Sequence, residues 1–292
     1  MFVRGFSLIV ALLAVAGCAG PSVAAPPVVT PVPRPVAVAV ESVLPDGARR
    51  ALDRELARYL RERPGRAALA VYDRTTGVRY AFREHTPFML ASVAKMDILL
   101  AFLLGKEGEL DDYERELTSR MIRYSDNDCA HELYMLVGGR KGLTGVLRRL
   151  GVEHTWPGPG LYWGTTRSRP SDQVKVLEWL TDAGGPLPLH DRRYALQLMS
   201  SVHPSQAWGV SAAGGEVALK NGWLPSDAHG GLWTVNSVGR LDVRGHELLM
   251  AVLSERSPTM ETGIATVEEL ARLTADALTG PEKTLVSASE VF

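Results

Sequence analysis

Residues 92–104 read SVAKMDILLAFLL, an apolar run that predicts a buried helix. Lys95 interrupts the start of that run, a costly place for a charge without a partner. Three residues before it stands Ser92. Side chains three apart share a helix face, so the Lys95 Nζ can reach the Ser92 Oγ. A serine hydroxyl is a poor nucleophile at neutral pH and needs a base beside it. A lysine serves once burial lowers its pKa towards neutrality. A helix N-terminus adds partial positive charge, which favours an anion formed there. The bland alternative is a capping serine and an exposed lysine. Against it, Ser92 is the only serine in the chain followed by a lysine three residues later.

Outward from this helix, the pattern alternates between strand and helix. Upstream, residues 46–62 carry a helical apolar stripe, and 67–83 read as a hairpin turning at Thr75-Thr76-Gly77. Downstream, helices are predicted at 111–123, 127–137, 141–150, 172–182 and 190–202. Residues 151–170, rich in Gly, Pro, Trp and Thr, form a long loop, and loops of that length inside a domain are usually functional. Strand-like runs follow at 216–220, 231–238 and 246–254, then a helix near 260–278. Strands at both ends with helices between them predict an α+β fold. Its antiparallel sheet is built from both ends of the chain and flanked by helices, with an all-helical lobe inserted.

Two further motifs stand near polar helix and strand ends. Ser125-Asp126-Asn127 precedes a helix and reads either as an N-cap or as a proton relay and an amide ligand for Lys95 or substrate. Lys220-Asn221-Gly222-Trp223 ends the strand 216–220. It reads either as an ordinary turn or as a substrate-binding edge. In the second reading Gly222 lets a ligand lie close, Lys220 attracts a carboxylate, and the Trp223 N–H joins that of Ser92 in an oxyanion hole.

S-x-x-K, S-D-N and K-x-G in this order resemble the signature of class A β-lactamases and penicillin-binding peptidases, and the resemblance spans about residues 48–279. It implies an antiparallel sheet, a helical lobe and Ser92 in the cleft between them. It also implies acyl transfer through an ester on Ser92, with a β-lactam or a peptidoglycan-peptide amide as the substrate class. Carried over, the catalytic set is Ser92, Lys95 and Ser125. The substrate-binding set is Asn127, Lys220, Asn221, Gly222 and Trp223.

Three departures stand against that pattern. The 32 residues 93–124 between the first two motifs are fewer than in class A enzymes, so the helical lobe is expected to be trimmed. Asn221 replaces a threonine, removing a hydroxyl near the substrate carboxylate, although an amide can still donate. Most important, class A enzymes carry a glutamate in the long loop, within E-x-x-L-N, as the base for deacylation. Here that loop reads HTWPGPGLYWGTTRSRPSD (154–172) and holds no glutamate. Glu153 is expected to face solvent and Asp172 to cap the next helix. Trp156, Tyr162 and Trp163 either line the cleft or pin the loop. Slow or absent deacylation follows, which leaves open a second reading: a penicillin- or ligand-binding envelope lipoprotein without hydrolysis.

The first residues, MFVRGFSLIVALLAVAGC, place Arg4 before a short apolar run that ends at Val15-Ala16-Gly17-Cys18. That end resembles the lipobox of bacterial lipoproteins, in which the cysteine is acylated. The alternative is a simple secretory signal. The expected organisation is a signal peptide over 1–18, a Pro-rich tether over 19–43, a hydrolase domain over 44–280 and a tail over 281–292. The chain is then exported and lipid-anchored through Cys18 to the outer face of the bacterial cytoplasmic membrane. The remaining cysteine, Cys129, reads as core, and with a single thiol in the domain no internal disulfide is expected. With 32 basic against 33 acidic residues the net charge is −1, which gives no basic field for nucleic acid. No cofactor and no metal are expected: the seven histidines show no close ligand spacing, and His203 reads as structural. The protein is expected to be a monomer.

Overall fold

The computed structural model describes residues 42–280. The signal peptide with Cys18, the tether up to residue 41 and the tail 281–292 lie outside the described residues. The described chain opens with β1 (Ser42–Val43), α1 (Asp46–Arg61), β2 (Arg66–Asp73), β3 (Val78–Phe82) and β4 (Phe88–Met89). A helical stretch follows with α2 (Ala94–Gly105), α3 (Asp112–Arg123), α4 (Asn127–Leu136) and α5 (Gly139–Arg149). After the long loop come β5 (Arg167–Ser168), α6 (Pro170–Thr181) and α7 (Leu189–Ser200). The chain closes with β6 (Glu216–Ser226), β7 (Leu232–Val243), β8 (His246–Ser257) and α8 (Met260–Thr279).

Six strands form one sheet in the order β1-β3-β2-β8-β7-β6. Its neighbours are antiparallel except β1, which runs parallel to β3. The β2–β8 pairing joins the two ends of the chain, so the α+β architecture expected from the alternation is the one observed.

Each face of the sheet closes a core. One holds Leu52 and Leu56 of α1 and Val267, Leu270 and Ala271 of α8 against Leu69, Leu219, Val235 and Val252. The other holds α2, where every residue from Ala94 to Leu103 is buried. A helix apolar on all sides needs cover on all sides, and helices α3 to α6 supply it. Cys129 is a free, buried member of this second core.

Two boundaries differ from expectation in ways that matter for the site. Ser92 does not lie in α2; it sits in a one-turn 3-10 segment, Ala91–Val93, that feeds into it. The strand expected to end at Lys220 runs on to Ser226, so the third motif lies mid-strand. Asn-Gly is a turn signal, but eleven residues paired with β7 override it. Pro225 is tolerated because β6 is the sheet edge.

Candidate active site

The three motifs converge between the sheet and the helical lobe. α2 carries Lys95 at its first turn, the α3–α4 connection carries Ser125, and the edge strand β6 carries Lys220. Lys95 Nζ lies within hydrogen-bond distance of Ser92 Oγ at 3.0 Å, Ser125 Oγ at 3.0 Å, the Ser125 carbonyl at 2.6 Å and Asn127 Oδ1 at 2.8 Å, four acceptors for at most three hydrogens. Lys220 Nζ donates to the same Ser125 Oγ at 3.0 Å and to the Asn221 carbonyl at 2.8 Å. Both lysines are fully buried. Burial brings Lys95 down to about 7, against the pull of the Asp126 carboxylate. Burial, and then repulsion from Lys95, carries Lys220 well below the usual lysine range. A lysine poised near neutrality beside a serine hydroxyl can take its proton.

The α3–α4 connection caps a helix and also sets Ser125 and Asn127 against Lys95. Asp126 is the N-cap of α4, accepting from the Asp128 and Cys129 N–H groups at 2.9 and 3.0 Å. Ser125, in the left-handed region at φ 58°, is thereby turned towards the lysines.

Side chains alternate along β6, and that divides the third motif. Lys220 and Gly222 face the nucleophile. A Cβ on Gly222 would lie 2.5 Å from the Leu90 carbonyl, 2.6 Å from the Val93 nitrogen and 2.8 Å from the Ser92 nitrogen. Asn221 and Trp223 point to the other side. The Asn221 amide does not face the cleft: Nδ2 donates to the Gln206 and Trp208 carbonyls, both at 2.8 Å. As a side-chain ligand for a substrate carboxylate it is therefore withdrawn, because its position on the pleat turns it inward. The Trp223 indole packs edge-on against Trp208, with centroids 5.7 Å apart. Its neighbour Gly222 is the residue that approaches the Ser92 nitrogen.

The backbone before Ser92 is held by two residues that the motifs do not contain. Asn236 lies across from Gly222 on β7. Its Nδ2 donates to the Met89 carbonyl at 2.8 Å and the Leu90 carbonyl at 3.0 Å, while its Oδ1 accepts from Ser254 N at 2.9 Å. Glu255, buried on β8, accepts from Met89 N at 2.6 Å and pairs with Arg66 at 2.7 Å. Between them Ala91 adopts φ 51°. A buried polar residue on a strand, out of the alternation, was the one sequence signal for either.

The long loop is stitched to this segment. β4 pairs with β5, Leu90 N donates to the Thr166 carbonyl at 2.8 Å, and Trp156 bridges Arg167. Asp172 is not the cap of α6. It sits inside the first turn, and Oδ2 accepts from His154 N at 2.6 Å and Thr155 Oγ1 at 2.9 Å, closing the base of the loop. Glu153 is exposed. The aromatics split: Trp156 and Tyr162 are exposed, whereas Trp163 is buried with its ring centre 4.9 Å from Lys95 Nζ. The indole thus packs where the loop comes nearest the lysine.

Comparison with known proteins agrees with this arrangement. The sequence model of the β-lactamase enzyme family matches residues 111–278, which include the second and third motifs. Proteins of Mycobacterium tuberculosis and Mycobacterium bovis that carry the lipoprotein name LppW are 30% identical over 170 residues, 54% of this chain. The chain spans about half the length of these curated relatives. Among solved structures, a variant of the last common ancestor of Gram-negative class A β-lactamases superposes with a TM-score of 0.67 at 25% identity, covering 78% of this chain and 98% of that one. A class A β-lactamase from Bacteroides cellulosilyticus gives 0.67 at 16% identity over 80% and 99%. The extended-spectrum enzyme TLA-1 gives 0.69 at 16% identity over 80% and 99%. The fold is shared over nearly the full length of those enzymes and the family model covers more than half of the chain, so this chain belongs to the β-lactamase enzyme family.

Proposed function

We propose that the protein is an envelope serine hydrolase that forms an acyl-enzyme on Ser92, with a β-lactam or a peptidoglycan-peptide amide as donor, held at the membrane by lipid on Cys18. The observation that carries this reading is the contact of a fully buried Lys95 with both Ser92 and Ser125. Neutral Lys95 takes the Ser92 proton as Oγ attacks the carbonyl carbon. The oxyanion is received by the Ser92 and Trp223 N–H groups, which the absence of a Cβ at Gly222 allows to come together. Lys220 draws in the substrate carboxylate. The proton then passes from Lys95 through Ser125 to the leaving nitrogen as the C–N bond breaks. The lipoprotein name of the mycobacterial relatives supports the anchor.

One measurement tests both halves: the intact mass of the full chain recovered from bacterial membranes, with and without penicillin. The expected result is a lipid-sized increment on the mature chain beginning at Cys18, and a penicillin increment lost in Ser92→Ala. Because Lys95 titrates at about 7, acylation should speed up as pH rises through 7 and then level off. A penicillin increment that survives Ser92→Ala would move the acyl group to another residue, and no increment in the wild type despite penicillin retained at equilibrium would favour a binding protein without covalent chemistry.

A further inference from the structure

The helices that cover α2 leave one part of the lobe both apolar and basic. α4 begins at Asn127, beside Lys95, and ends at Leu136. Its buried Tyr134 reaches the Gly160 carbonyl at 3.5 Å, which sets the tip of the long loop against the last turn of α4. Around that junction Met135 and Leu136 of α4 and Leu161 and Tyr162 of the loop are each more than half exposed. α5 follows at once. It buries Leu143 and Leu147 and leaves Arg140, Lys141, Arg148 and Arg149 exposed. Residues 133–171 hold six basic side chains and one acid, Glu153, a net charge of +5 in a chain whose total is −1. Single exposed apolar side chains are ordinary, but several gathered beside charge of one sign mark a contact surface.

A soluble polyanion would match the charge and leave the apolar side chains in water. An anionic bilayer matches both: basic side chains meet the headgroups while apolar ones enter the boundary with the acyl chains. Resting on the reading of Cys18 as a lipid anchor, we infer that the end of α4, the exposed basic residues of α5 and the loop tip lie on the anionic lipid surface to which the protein is tethered. Twenty-four residues lead from Cys18 to Ser42, a span of at most about 85 Å, so the domain stays within reach of the bilayer. α4 is then a strut, with lipid at Leu136 and the Lys95 partner Asn127 about 14 Å back along its axis. The same docking grips the long loop, whose Thr166 carbonyl accepts from Leu90 N beside the nucleophile.

The test uses the full mature chain from bacterial membranes, moved into vesicles of phosphatidylcholine with or without phosphatidylglycerol. A polarity-sensitive dye is placed at Leu136→Cys, where the buried Cys129 does not compete for it. The expected result is a blue shift in the anionic vesicles only. The same dye at Ala51→Cys should show none, because α1 covers the opposite face of the sheet. In the unlabelled wild type, acetylation of Lys141 should slow in the same anionic vesicles. A basic residue near such a surface contributes about a fivefold preference, so Arg148→Glu with Arg149→Glu should cut the docked-to-free ratio by at least about twenty-five-fold. Equal spectra in neutral and anionic vesicles, with the chain afloat on both, would overturn the inference and leave the anchor standing. An equal shift with soluble dextran sulfate in place of lipid would overturn it in favour of a soluble polyanion. Flotation with anionic vesicles alone would support the surface and remove the anchor, and flotation with neither would end both.

Discussion

Asn236 touches neither the nucleophile nor the lysine, yet it holds the carbonyls of Met89 and Leu90 and so aims the Ser92 N–H. Its removal takes the side-chain partner from the Met89 carbonyl and the Ser254 N–H, whereas the Leu90 carbonyl still accepts from Val93 N at 3.2 Å. Each unmet group costs about 1–3 kcal/mol, so with two of them Asn236→Ala should lose roughly 2–6 kcal/mol in urea unfolding. The oxyanion donor would also shift, and misplacement on the order of 1 Å costs about a hundredfold in rate. Acylation by saturating penicillin should therefore slow by about that factor. Asn236→Ala acylating at the wild-type rate would show that the clamp is not needed. The sequence offered only a polar residue out of place on a strand and nothing of its role, since its partners lie 146 and 147 positions away. Ser92 and Lys95 were legible from their helical spacing, and Ser125 and Lys220 only from the order of the three motifs and the family it resembles. Asn221 was legible as a motif position but not in its direction, which depends on the pleat.

At the level of elements, the edge strand β6 and the 3-10 turn bearing Ser92 meet at Gly222 without an intervening side chain. Gly222→Ala would put a carbon within 2.5–2.8 Å of backbone atoms that cannot yield. The strand must back away, widening the oxyanion hole. The expected result is a loss of about 10²–10³ in acylation rate, the worth of one oxyanion donor, with the sheet intact by circular dichroism. An unchanged rate would mean that the turn moves instead. Helices and central strands were legible from their periodicity to within a few residues. The full length of β6 was not, because pairing with β7 outweighs the local Asn-Gly preference. Nor were the two-residue strands β4 and β5, too short to carry a pattern, although they tie the long loop to the nucleophile.

For the whole molecule, the core around α2 encloses a second charge-bearing residue, Asp97. It is fully buried with only Gln173 Nε2 near, at 3.3 Å, and burial raises its pKa from 3.8 to about 8. The folded state keeps that proton over a range where the unfolded chain has lost it. Stability is thus highest below the ordinary carboxylate pKa and falls as pH rises towards 8. Lys95 works with the opposite sign. Its folded pKa is depressed, so its stability is recovered only as pH climbs from about 7 towards the usual lysine value of 10.5. Asp97→Asn, which keeps the shape of the neutral acid, should flatten the decline between about pH 4 and 8 in urea midpoints. A slope unchanged by the substitution would place its origin elsewhere. The sheet flanked by helices was legible because strands at both chain ends must close one sheet. The cost of Asp97 was hidden, since depth inside a core follows from tertiary packing.

The Ser125 hydroxyl receives a hydrogen bond from each lysine. A hydroxyl oxygen has two lone pairs, and here both are occupied. Its valences allow only one remaining interaction, donation of its own hydrogen in the third direction. While both lysines hold it, Ser125 can offer an entering group its hydrogen but has no lone pair left to accept one, so under the proposed chemistry it would act as a one-way valve. An incoming group with a lone pair is matched to it, and one that presents only N–H is not.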